Sequence, residues 1–397
     1  MKIGWQTEKL GDVCDFLNRG ISPKYLEEGG ICVLNQKCIR DHRVSFDQSR
    51  RHDNAVKSVA KERLIQLGDV LVNSTGTGTL GRVAQIRDVP SEPTTVDSHV
   101  TIVRPKTGKF FPDFFGYMLV VIEESIKEAG EGCGGQTELA RSVLADRFSV
   151  SYPTSVAEQH RIVAILDEAF DGIATAKAND EKNLRNARAL FESHLQAVFT
   201  QRGDGWEKIR LGDVADLIDC LHKTPSYSEE GFPMVRVTDI KPGFLNLSNT
   251  RKVDEKTFRE FSKKHSPKPG DIVFSRVGTY GISSLVNSNE PFCLGQNTLF
   301  LIPKINSKLF YHFLNGPNAK EQIDSFVEGT TQPTISMKNI REIKIPIPPL
   351  CDQNRLIDQL DGVTEETQRL ESLYQQKLAA LDELKKSLLH QAFNGQL

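Results

Sequence analysis

The chain has 397 residues, of which 38% are hydrophobic and 26% charged, a composition that favours two or three packed domains and excludes wholesale disorder. No apolar run approaches the ~18 residues needed to span a bilayer, and the N-terminus lacks the apolar core of a secretion signal. We therefore expect a cytoplasmic protein without a membrane partner, although its net charge of −2 lacks the basic excess of a free-standing DNA-binding protein.

A repeat of about 200 residues runs through the whole chain. The opening pattern Trp-x-x-x-x-Leu-Gly-Asp-Val occupies residues 5–13 and again 206–214, and Gly68-Asp69-Val70 recurs as Gly270-Asp271-Ile272. Near the end of each copy, Glu158-Gln159-His160-Arg161-Ile162 matches Asp352-Gln353-Asn354-Arg355-Leu356. This period is too long for a solenoid and indicates a duplicated two-part unit.

The predicted elements follow the same order in both copies. Residues 1–155 contain short β-type runs at 70–72 and 100–103 and a predicted helix near 113–129, and residues 156–203 form a long helix. Residues 204–349 repeat the pattern, with strands at 272–274 and 299–302 and a helix near 307–326, and residues 350–397 form the second long helix. The fold class is therefore α+β, with two mixed α/β domains.

The two long helices are predicted from their capping and periodicity. The first opens with Ser155-x-x-Glu158, a capping box, and the second follows Pro348-Pro349. The second helix has apolar residues at most positions of a 4–3 seam, which comprises 356, 360, 363, 367, 370, 374, 377, 381, 384, 388 and 391. The first has a weaker seam that is interrupted by the polar run 177–183. Two such helices bury each other best as an antiparallel coiled coil.

This organisation predicts two similar domains held apart by paired helices, related by a pseudo-two-fold axis. Such a geometry suits the reading of two separated half-sites on one DNA duplex, and because the copies differ in sequence the half-sites should differ. A duplicated coiled-coil adaptor that binds only proteins is the alternative. The two helical segments carry 11 Lys+Arg against 15 Asp+Glu, a small acidic excess that alone decides nothing.

The doubled order of variable domain and long helix resembles the specificity subunit of type I restriction–modification systems. The resemblance rests on the two Trp-x-x-x-x-Leu-Gly-Asp-Val openings, the two Gly-Asp-Val/Ile strands, Ile345-Pro346-Ile347-Pro348-Pro349-Leu350, and the ending 391–397. It covers essentially the whole chain. The first copy departs from it where Tyr152-Pro153-Thr154-Ser155 replaces the proline pair.

The resemblance implies that the two variable regions are target-recognition domains for an asymmetric, bipartite double-stranded DNA site. The paired helices would set the spacing and dock two methyltransferase subunits, and restriction subunits would join this core. S-adenosylmethionine, ATP and Mg²⁺ would then belong to the partners, with no cofactor in this chain. The candidate docking residues are Gln159, Arg161, Ile162 and Phe199 in the first helix and Gln353, Arg355, Leu356 and Phe393 in the second.

Basic segments before each Gly-Asp pair are the first candidates for DNA contact, because lysine and arginine neutralise phosphates. They include Arg50, Arg51 and Lys57 in the first copy and Lys263 and Lys264 in the second. The alternative is a solvated helix face, since acidic residues interleave with the basic ones.

A glycine-rich loop at 73–82 and its copy at 275–281 are the second candidates. The loop contains Gly-x-Gly-x-x-Gly, but the following residues 83–86 have a strand pattern, which excludes a dinucleotide site. A hairpin turn that approaches a DNA groove remains open beside a plain tight turn. Its candidate residues are Asn73, Ser74, Thr75, Gly76, Thr77 and Arg82, with Ser275, Arg276, Gly278, Thr279 and Tyr280 in the copy.

Polar residues elsewhere in the variable regions complete the candidates, because glutamine and arginine can recognise adenine and guanine in the major groove. Ordinary hydrogen bonding within loops is the alternative. These residues are His99, Gln136, Asn297, Thr330, Thr331 and Gln332, together with Gln36, Lys37, Arg236 and Thr238.

The sequence contains no recognisable catalytic motif. It lacks an Asn-Pro-Pro-Tyr or Asp-Pro-Pro-Tyr tetrapeptide for amino-methylation, a phosphate-binding Gly-x-x-x-x-Gly-Lys-Ser/Thr loop and His-Glu-x-x-His. Its seven cysteines are scattered without a Cys-x-x-Cys pair, so we predict neither a disulfide framework nor a metal site. A nuclease acting alone is therefore the least favoured alternative, and we predict a non-catalytic subunit.

Overall fold

The computed structural model describes residues 4–131, 137–200, 205–329 and 331–397. The chain divides into two compact units. The first (unit 1) comprises residues 1–179 and 377–397, and the second (unit 2) comprises residues 180–376. Among the described residues, no helix is both long enough and apolar enough to cross a bilayer.

Unit 1 is built from short strands, two short helices and the ends of two long ones. Its strands are β1 (Trp5–Lys9), β2 (Cys14–Arg19), β3 (Tyr25–Leu26), β4 (Ile31–Leu34), β5 (Ile39–Arg40), β6 (Arg43–Val44), β7 (Arg50–His52), β8 (Val70–Asn73), β9 (Val83–Gln85), β10 (Thr94–Val96), β11 (Val100–Pro105) and β12 (Ser149–Pro153). Its helices are α1 (Pro112–Val121), α2 (Glu123–Glu128) and the start of α3 (Val156–Thr200).

Unit 2 repeats this order. Its strands are β13 (Glu207–Arg210), β14 (Ala215–Asp219), β15 (Phe232–Val235), β16 (Arg251–Val253), β17 (Ile272–Ser275), β18 (Ser283–Leu285), β19 (Cys293–Leu294), β20 (Thr298–Pro303) and β21 (Lys344–Ile347). Its helices are α4 (Leu211–Val214), α5 (Glu255–Phe261), α6 (Ser307–Leu314), α7 (Pro317–Phe326), α8 (Met337–Glu342) and α9 (Leu350–Phe393). The predicted strands at 70–72, 100–103, 272–274 and 299–302 are confirmed.

The central sheet has the same topology in both units. The strand order is β2-β11-β8-β9 in unit 1 and β14-β20-β17-β18 in unit 2, with every neighbouring pair antiparallel. Each unit also has a second sheet, which contains one parallel pair: β4 with β10 in unit 1 and β15 with β19 in unit 2. These are the only parallel pairs among the described strands. The α+β prediction is therefore confirmed in each copy.

The central strands β8 and β17 are buried along their whole length, and each is apolar except for its last residue, Asn73 or Ser275. The predicted helix near 113–129 is two helices, α1 and α2, and the helix near 307–326 is likewise α6 and α7. Phe114 and Phe115 of α1, and Phe310 and Phe313 of α6, fill the respective cores.

The long helices pack into both cores. In unit 1, Ile162 and Leu166 of α3 join the core together with Phe393 of α9, whose ring lies 4.8 Å from that of Phe114. In unit 2, Phe199 of α3 joins the core, with its ring 5.5 Å from that of Phe313.

The predicted antiparallel pairing of the long helices is present within each unit. In unit 1, Arg161 donates to the carbonyl of Leu397 at 2.9 Å, and Lys177 pairs with Asp382 at 2.7 Å. In unit 2, Arg188 pairs with Glu371 at 2.7 Å. Higher residue numbers in α3 therefore face lower numbers in α9.

The predicted seam of α9 is wrong at two positions beyond Tyr374, while Leu381, Leu388 and Gln391 are half-buried as predicted. Lys377 and Leu384 are exposed, whereas Leu378 and Lys385 point inward. Two successive steps of four residues, 370–374–378, shift the seam by one position, as a stutter does in a coiled coil. The Lys385 ammonium then covers the ring of Phe170 at 5.0 Å, which allows a charged residue to occupy the seam.

Leu166-Asp167 of α3 recurs as Leu360-Asp361 of α9, and the aspartate of each pair contacts a short helix. In unit 1, the Tyr117 hydroxyl of α1 donates to Asp167, and burial raises the pKa of Tyr117 to about 12. In unit 2, His312 of α6 contacts Asp361 at 2.8 Å, and burial lowers the pKa of His312 although Asp361 opposes this. The aspartate contact between a long and a short helix is therefore present in both units, but its partner is a tyrosine in unit 1 and a histidine in unit 2.

Candidate nucleic-acid interface

The glycine-rich loop of unit 1 forms a tight turn that leads from β8 into β9. Gly76, Gly78 and Gly81 have φ values of +105°, +77° and +82°, a region that only glycine adopts freely. The Gly76 N–H donates to the carbonyl of Thr137 at 3.2 Å, and Thr75 bridges to Glu138. The turn therefore lies against the segment that precedes β12, and the predicted strand after it is confirmed as β9.

Unit 2 builds the same turn between β17 and β18. Gly278 and Gly281 have φ values of +72° and +76°. The Gly278 N–H donates to the carbonyl of Pro333 at 3.0 Å, and Val277 bridges to Thr334. Each unit thus presents a glycine turn supported by a second loop, which we call the turn site.

Residues from two other loops surround the unit 1 turn site, Gln36 from one and Asp97 and His99 from the other. The Thr79 hydroxyl donates to Gln36 Oε1 at 3.0 Å, and Asn73 Nδ2 donates to the Gln36 carbonyl at 3.0 Å. Thr75 Oγ1 lies 2.7 Å from His99 Nδ1. The carboxylate of Asp97 accepts the backbone N–H of His99 at 2.9 Å, and burial raises the pKa of Asp97. The structure therefore brings together three separately predicted regions: the glycine-rich loop, Gln36 and His99.

The unit 2 turn site has a different polar network. Arg276 donates to both carboxylate oxygens of Asp219 at 2.8 and 2.9 Å, and its backbone N–H donates to Asn297. Burial opposes ionisation of Asp219, yet hydrogen bonds from His222 and Arg276 lower its pKa. Arg236 forms a bidentate pair with Asp239. The sequence did not predict Asp219, because the equivalent residue in unit 1 is Arg19 and the aspartate is therefore not repeated.

Strand register shows which residues of the two sites are equivalent. Val100 pairs with Asn73 and Thr298 with Ser275, so His99 corresponds to Asn297 and Thr75 to Val277. Thr95 pairs with Val33 and Cys293 with Met234, so Gln36 corresponds to Val237 and Lys37 to Thr238. The two turn sites therefore share a backbone and differ in their side chains.

Burial separates the candidates of the turn sites into two groups. The side chains of Asn73, Ser74 and Ser275 are at most 1% exposed and form hydrogen bonds within the protein. The prediction that they contact DNA is therefore corrected: these side chains support the turn. The others keep some surface. Thr77, Gly278, Thr279, Lys37, Thr238 and His99 are exposed, and Gln36, Thr75, Gly76, Arg82, Arg236, Arg276, Tyr280 and Asn297 are half-buried.

Two of the predicted glutamine and threonine candidates, Gln136 and Thr330, lie outside the described residues. Thr331 and Gln332 are exposed, and the carbonyl of Gln332 accepts from the hydroxyl of Thr334, which bridges to Val277. They therefore remain DNA-contact predictions at the edge of the unit 2 turn site.

The basic segments are not one helix face. Arg50 and Arg51 lie on β7, where Arg51 pairs with Glu92 and Arg50 is exposed. Lys57 is exposed and donates to the carbonyl of Ser22 at 3.3 Å. Lys263 and Lys264 are exposed beyond the end of α5, and Lys264 donates to the carbonyl of Asp219 at 3.2 Å.

Most candidate docking residues of the long helices are internal, so their prediction as partner contacts is corrected. Gln159 is fully buried, accepts the Phe111 N–H at 2.8 Å and donates to the Pro153 carbonyl at 2.9 Å. Gln353 is buried and donates to the Pro348 carbonyl at 3.0 Å. Ile162, Phe199 and Phe393 are also buried, and Leu356 packs against a core. Arg161 and Arg355 are exposed.

Three potential metal ligands come together beside the unit 2 turn site. One ligand atom from each of Asp219, Cys220 and His222 lies within 4.8 Å of the others. The Arg276 guanidinium occupies both oxygens of Asp219, and burial raises the pKa of Cys220. A metal ion here would have to compete with the Arg276 guanidinium for Asp219 and would need the thiolate form of Cys220. The arrangement therefore favours the Arg276–Asp219 ion pair over a metal site.

The two glycine turns give a matched test of the site. A Cβ at Gly76 would lie 2.4 Å from both Gln36 Oε1 and Thr79 Oγ1, whereas a Cβ at Gly278 meets nothing within 4 Å. Both positions have positive φ, so alanine costs about 1–2 kcal/mol at each. We expect Gly76→Ala to displace Gln36 and weaken DNA affinity at least tenfold, and Gly278→Ala to weaken it less than threefold. Fluorescence anisotropy on a labelled duplex checks this; equal affinities of the two variants would contradict it.

These features define a class of protein. It is a duplicated α+β chain in which each copy offers one turn site and contributes one long helix, and the sites share a scaffold but not their polar side chains. This is the expected form of a protein that recognises two related but unlike targets.

Comparison with known proteins places the chain in a family. A family profile described as "Type I restriction modification DNA specificity domain" matches residues 2–184 and 203–379. The chain belongs to this family and carries the domain twice.

Individual relatives are distant. The MjaVIII specificity subunit of Methanocaldococcus jannaschii is 19% identical, with 99% of this chain and 93% of that protein aligned. The EcoDI specificity subunit of Escherichia coli is 25% identical over 66% of this chain and 60% of that protein. The match to the Escherichia coli EcoBI specificity subunit is 22% identical and spans only 43% of this chain and 36% of that protein.

Two solved structures share the fold. One, from work on complex assembly and conformational transition of the type I R-M system, has a TM-score of 0.78 at 18% identity and covers 100% of this chain and 99% of its own. The HsdS subunit from Thermoanaerobacter tengcongensis has a TM-score of 0.55 at 19% identity, with 99% and 97% covered.

Proposed function

We propose that this chain is the DNA-reading subunit of a type I restriction–modification complex and that each unit reads one half of an asymmetric, bipartite site. The observation that carries the proposal is the repeated turn site. Its backbone is held in the same way in both units, through Gly76 to Thr137 and Gly278 to Pro333. Family membership supports the same conclusion, and no finding favours the adaptor alternative.

The difference between the turn sites supports an asymmetric target. Unit 1 offers the amide of Gln36, the imidazole of His99 and the ammonium of Lys37, whereas unit 2 offers Arg236, Thr238 and Asn297. Amide, guanidinium and imidazole groups present different donors and acceptors to base edges. Two such sets would select different base sequences.

The chemistry in this proposal belongs to other subunits. Two methyltransferase subunits would bind S-adenosylmethionine and modify adenine, and restriction subunits would use ATP and Mg²⁺. The absence of amino-methylation and phosphate-loop motifs from the sequence supports this division. Exposed charged positions of the long helices, such as Arg161 and Arg355, are the surfaces left for docking in the cytoplasmic complex.

The test is to co-express the full chain with its neighbouring methyltransferase subunit and map modified bases in the cellular DNA. We expect adenine methylation at one motif with two specified halves and an unspecified spacer, and none when the methyltransferase subunit is expressed alone. Methylation without a bipartite motif, or a complex that binds all duplexes equally at raised salt, would favour the adaptor. Metal-dependent cleavage by the purified chain would favour the nuclease.

A further inference from the structure

An exposed tyrosine is covered by an arginine in each unit. The Arg50 guanidinium lies 3.5 Å from the centre of the Tyr25 ring, and the Arg251 guanidinium lies 4.7 Å from that of Tyr227. Both tyrosines remain well exposed, at 44% and 42%. Cation–π contacts at such exposed sites are weak, about 0.5–1 kcal/mol, so stability alone gives little reason for their repetition.

Strand register shows that the two pairs occupy the same place. Arg50 of β7 pairs with Val33, and Arg251 of β16 pairs with Met234, its equivalent in β15. On the neighbouring segment, Leu26 pairs with Arg51 and Ser228 bridges to Lys252, which makes Tyr25 and Tyr227 equivalent. We call these the Tyr25–Arg50 pair and the Tyr227–Arg251 pair.

Each pair belongs to the surroundings of its turn site. In unit 1, Asn35 Nδ2 donates to the Gln48 carbonyl at 2.6 Å, which joins the start of β7 to the loop that carries Gln36. The charge of Arg50 also acts on Asp97, the residue that holds the N–H of His99. In unit 2, Arg251 pairs with Met234 of β15, the strand that leads directly into Arg236.

Neither arginine is neutralised. Among the described residues, no carboxylate lies within the 4 Å ion-pair distance of Arg50 or Arg251, whereas the nearby Arg51 and Arg236 are paired with Glu92 and Asp239. The ring covers one face of each guanidinium and leaves the fork of N–H donors for a ligand. A fork of this kind matches the two oxygens of a phosphate.

The contrast with the turn sites identifies the ligand. Positions equivalent between the turn sites carry unlike side chains, such as His99 and Asn297 or Lys37 and Thr238, which suits bases that differ between half-sites. The tyrosine–arginine pairs are identical in both units. The part of the target that is identical in every half-site is the sugar–phosphate backbone, which positions a reader without specifying sequence.

We propose that the Tyr25–Arg50 and Tyr227–Arg251 pairs each clamp a DNA phosphate and set the position of the adjoining turn site on its half-site. The inference rests on the proposed function and adds a division of labour to it. Arg50 and Arg251 bind the backbone, Tyr25 and Tyr227 hold the guanidinium groups in place, and the turn sites read bases.

The test measures how the DNA affinity of the chain, purified with its methyltransferase subunits, depends on salt. Each lost phosphate contact lowers the slope of log K against log salt by about 0.9, so Arg50→Ala with Arg251→Ala should lower it by about 1.8. The affinity loss should be the same on the mapped site and on an unrelated duplex, and the methylated motif should be unchanged. Tyr25→Leu with Tyr227→Leu should lower the affinity on both duplexes by a smaller factor.

Two further variants control for charge and folding. Arg210→Ala removes an exposed arginine from β13 and should leave the slope unchanged, and Arg50→Lys with Arg251→Lys should retain most of the slope. An unchanged slope in the alanine variant, or a loss confined to the mapped site, overturns the clamp. If the wild-type complex prefers no sequence, the proposed function fails instead, while the slope on the unrelated duplex still tests the clamp.

Discussion

Exchange of residues 1–155 for the corresponding segment of another specificity subunit is expected to replace one half of the methylated motif and to leave the other half unaltered. Every described contact of the unit 1 turn site, from Gln36 to Thr79, Thr75 to His99 and Gly76 to Thr137, lies within this segment. The unit 2 turn site has its own contacts within 204–349. Base recognition should therefore move with the segment.

The junction favours a folded chimaera. Gln159 of the retained helix binds the backbone N–H of Phe111 and the backbone carbonyl of Pro153, groups that any donor segment supplies. The apolar contacts of Ile162 depend on the donor's side chains, so a donor with aromatic residues at the positions of Phe114 and Phe115 is preferred.

Modified-base mapping of DNA from cells that express the chimaera gives the readout, and the reciprocal exchange of 204–349 is the matched control. The unspecified spacer should keep its length in both chimaeras, because α3 and α9 are untouched. A change in both halves of the motif after a single exchange would falsify the modular assignment.

The fold was predictable wherever a repeat or a period marked it. Gly68-Asp69 and Gly270-Asp271 precede the buried strands β8 and β17 in both copies, and their carboxylates accept the N–H groups of Gln66 and Lys268 at 2.8 Å. A short local turn of this kind leaves a sequence signature. The shift of the α9 seam beyond Tyr374 leaves none, because whether Lys377 or Leu378 points inward depends on what α3 places opposite.

The sequence predicted which segments form the turn sites, but it did not predict which of their side chains are exposed. Glycine spacing marked the turn, but the burial of Ser74 depends on Thr101, a residue of β11 that lies 2.5 Å away across the sheet. The tyrosine–arginine pairs were overlooked although a signal existed. Tyr25 and Tyr227 stand two residues before the repeated Glu-Glu-Gly at 27–29 and 229–231, so alignment of the copies marks them.

The docking candidates on the long helices show why a repeated motif need not be a surface. Gln159 and Gln353 recur because each ties its helix start to the strand before it. A polar residue within an apolar stripe has the same sequence pattern whether it faces a partner or a buried backbone group. Only the positions of Phe111 and Pro153 distinguish the two cases.

Gln159→Leu is expected to destabilise unit 1 strongly, and Gln353→Leu to destabilise unit 2 less. The first change leaves the part-buried N–H of Phe111 and the buried carbonyl of Pro153 without partners, at about 1–3 kcal/mol each, or about 2–6 kcal/mol together. The second removes a single hydrogen bond, to Pro348, and should cost about 1–2 kcal/mol. Leucine fills a similar volume, so cavity formation contributes little.

The chain offers one tryptophan in each unit for this measurement. Trp5 packs against the core of unit 1 and Trp206 against that of unit 2, so Trp206→Phe and Trp5→Phe backgrounds report the units separately during urea unfolding. Gln159→Leu should lower the midpoint reported by Trp5 more than Gln353→Leu lowers that reported by Trp206. Equal stability of Gln159→Leu and its background would show that the buried amide does not hold the start of the helix, and the repeated glutamine would again need a partner to explain it.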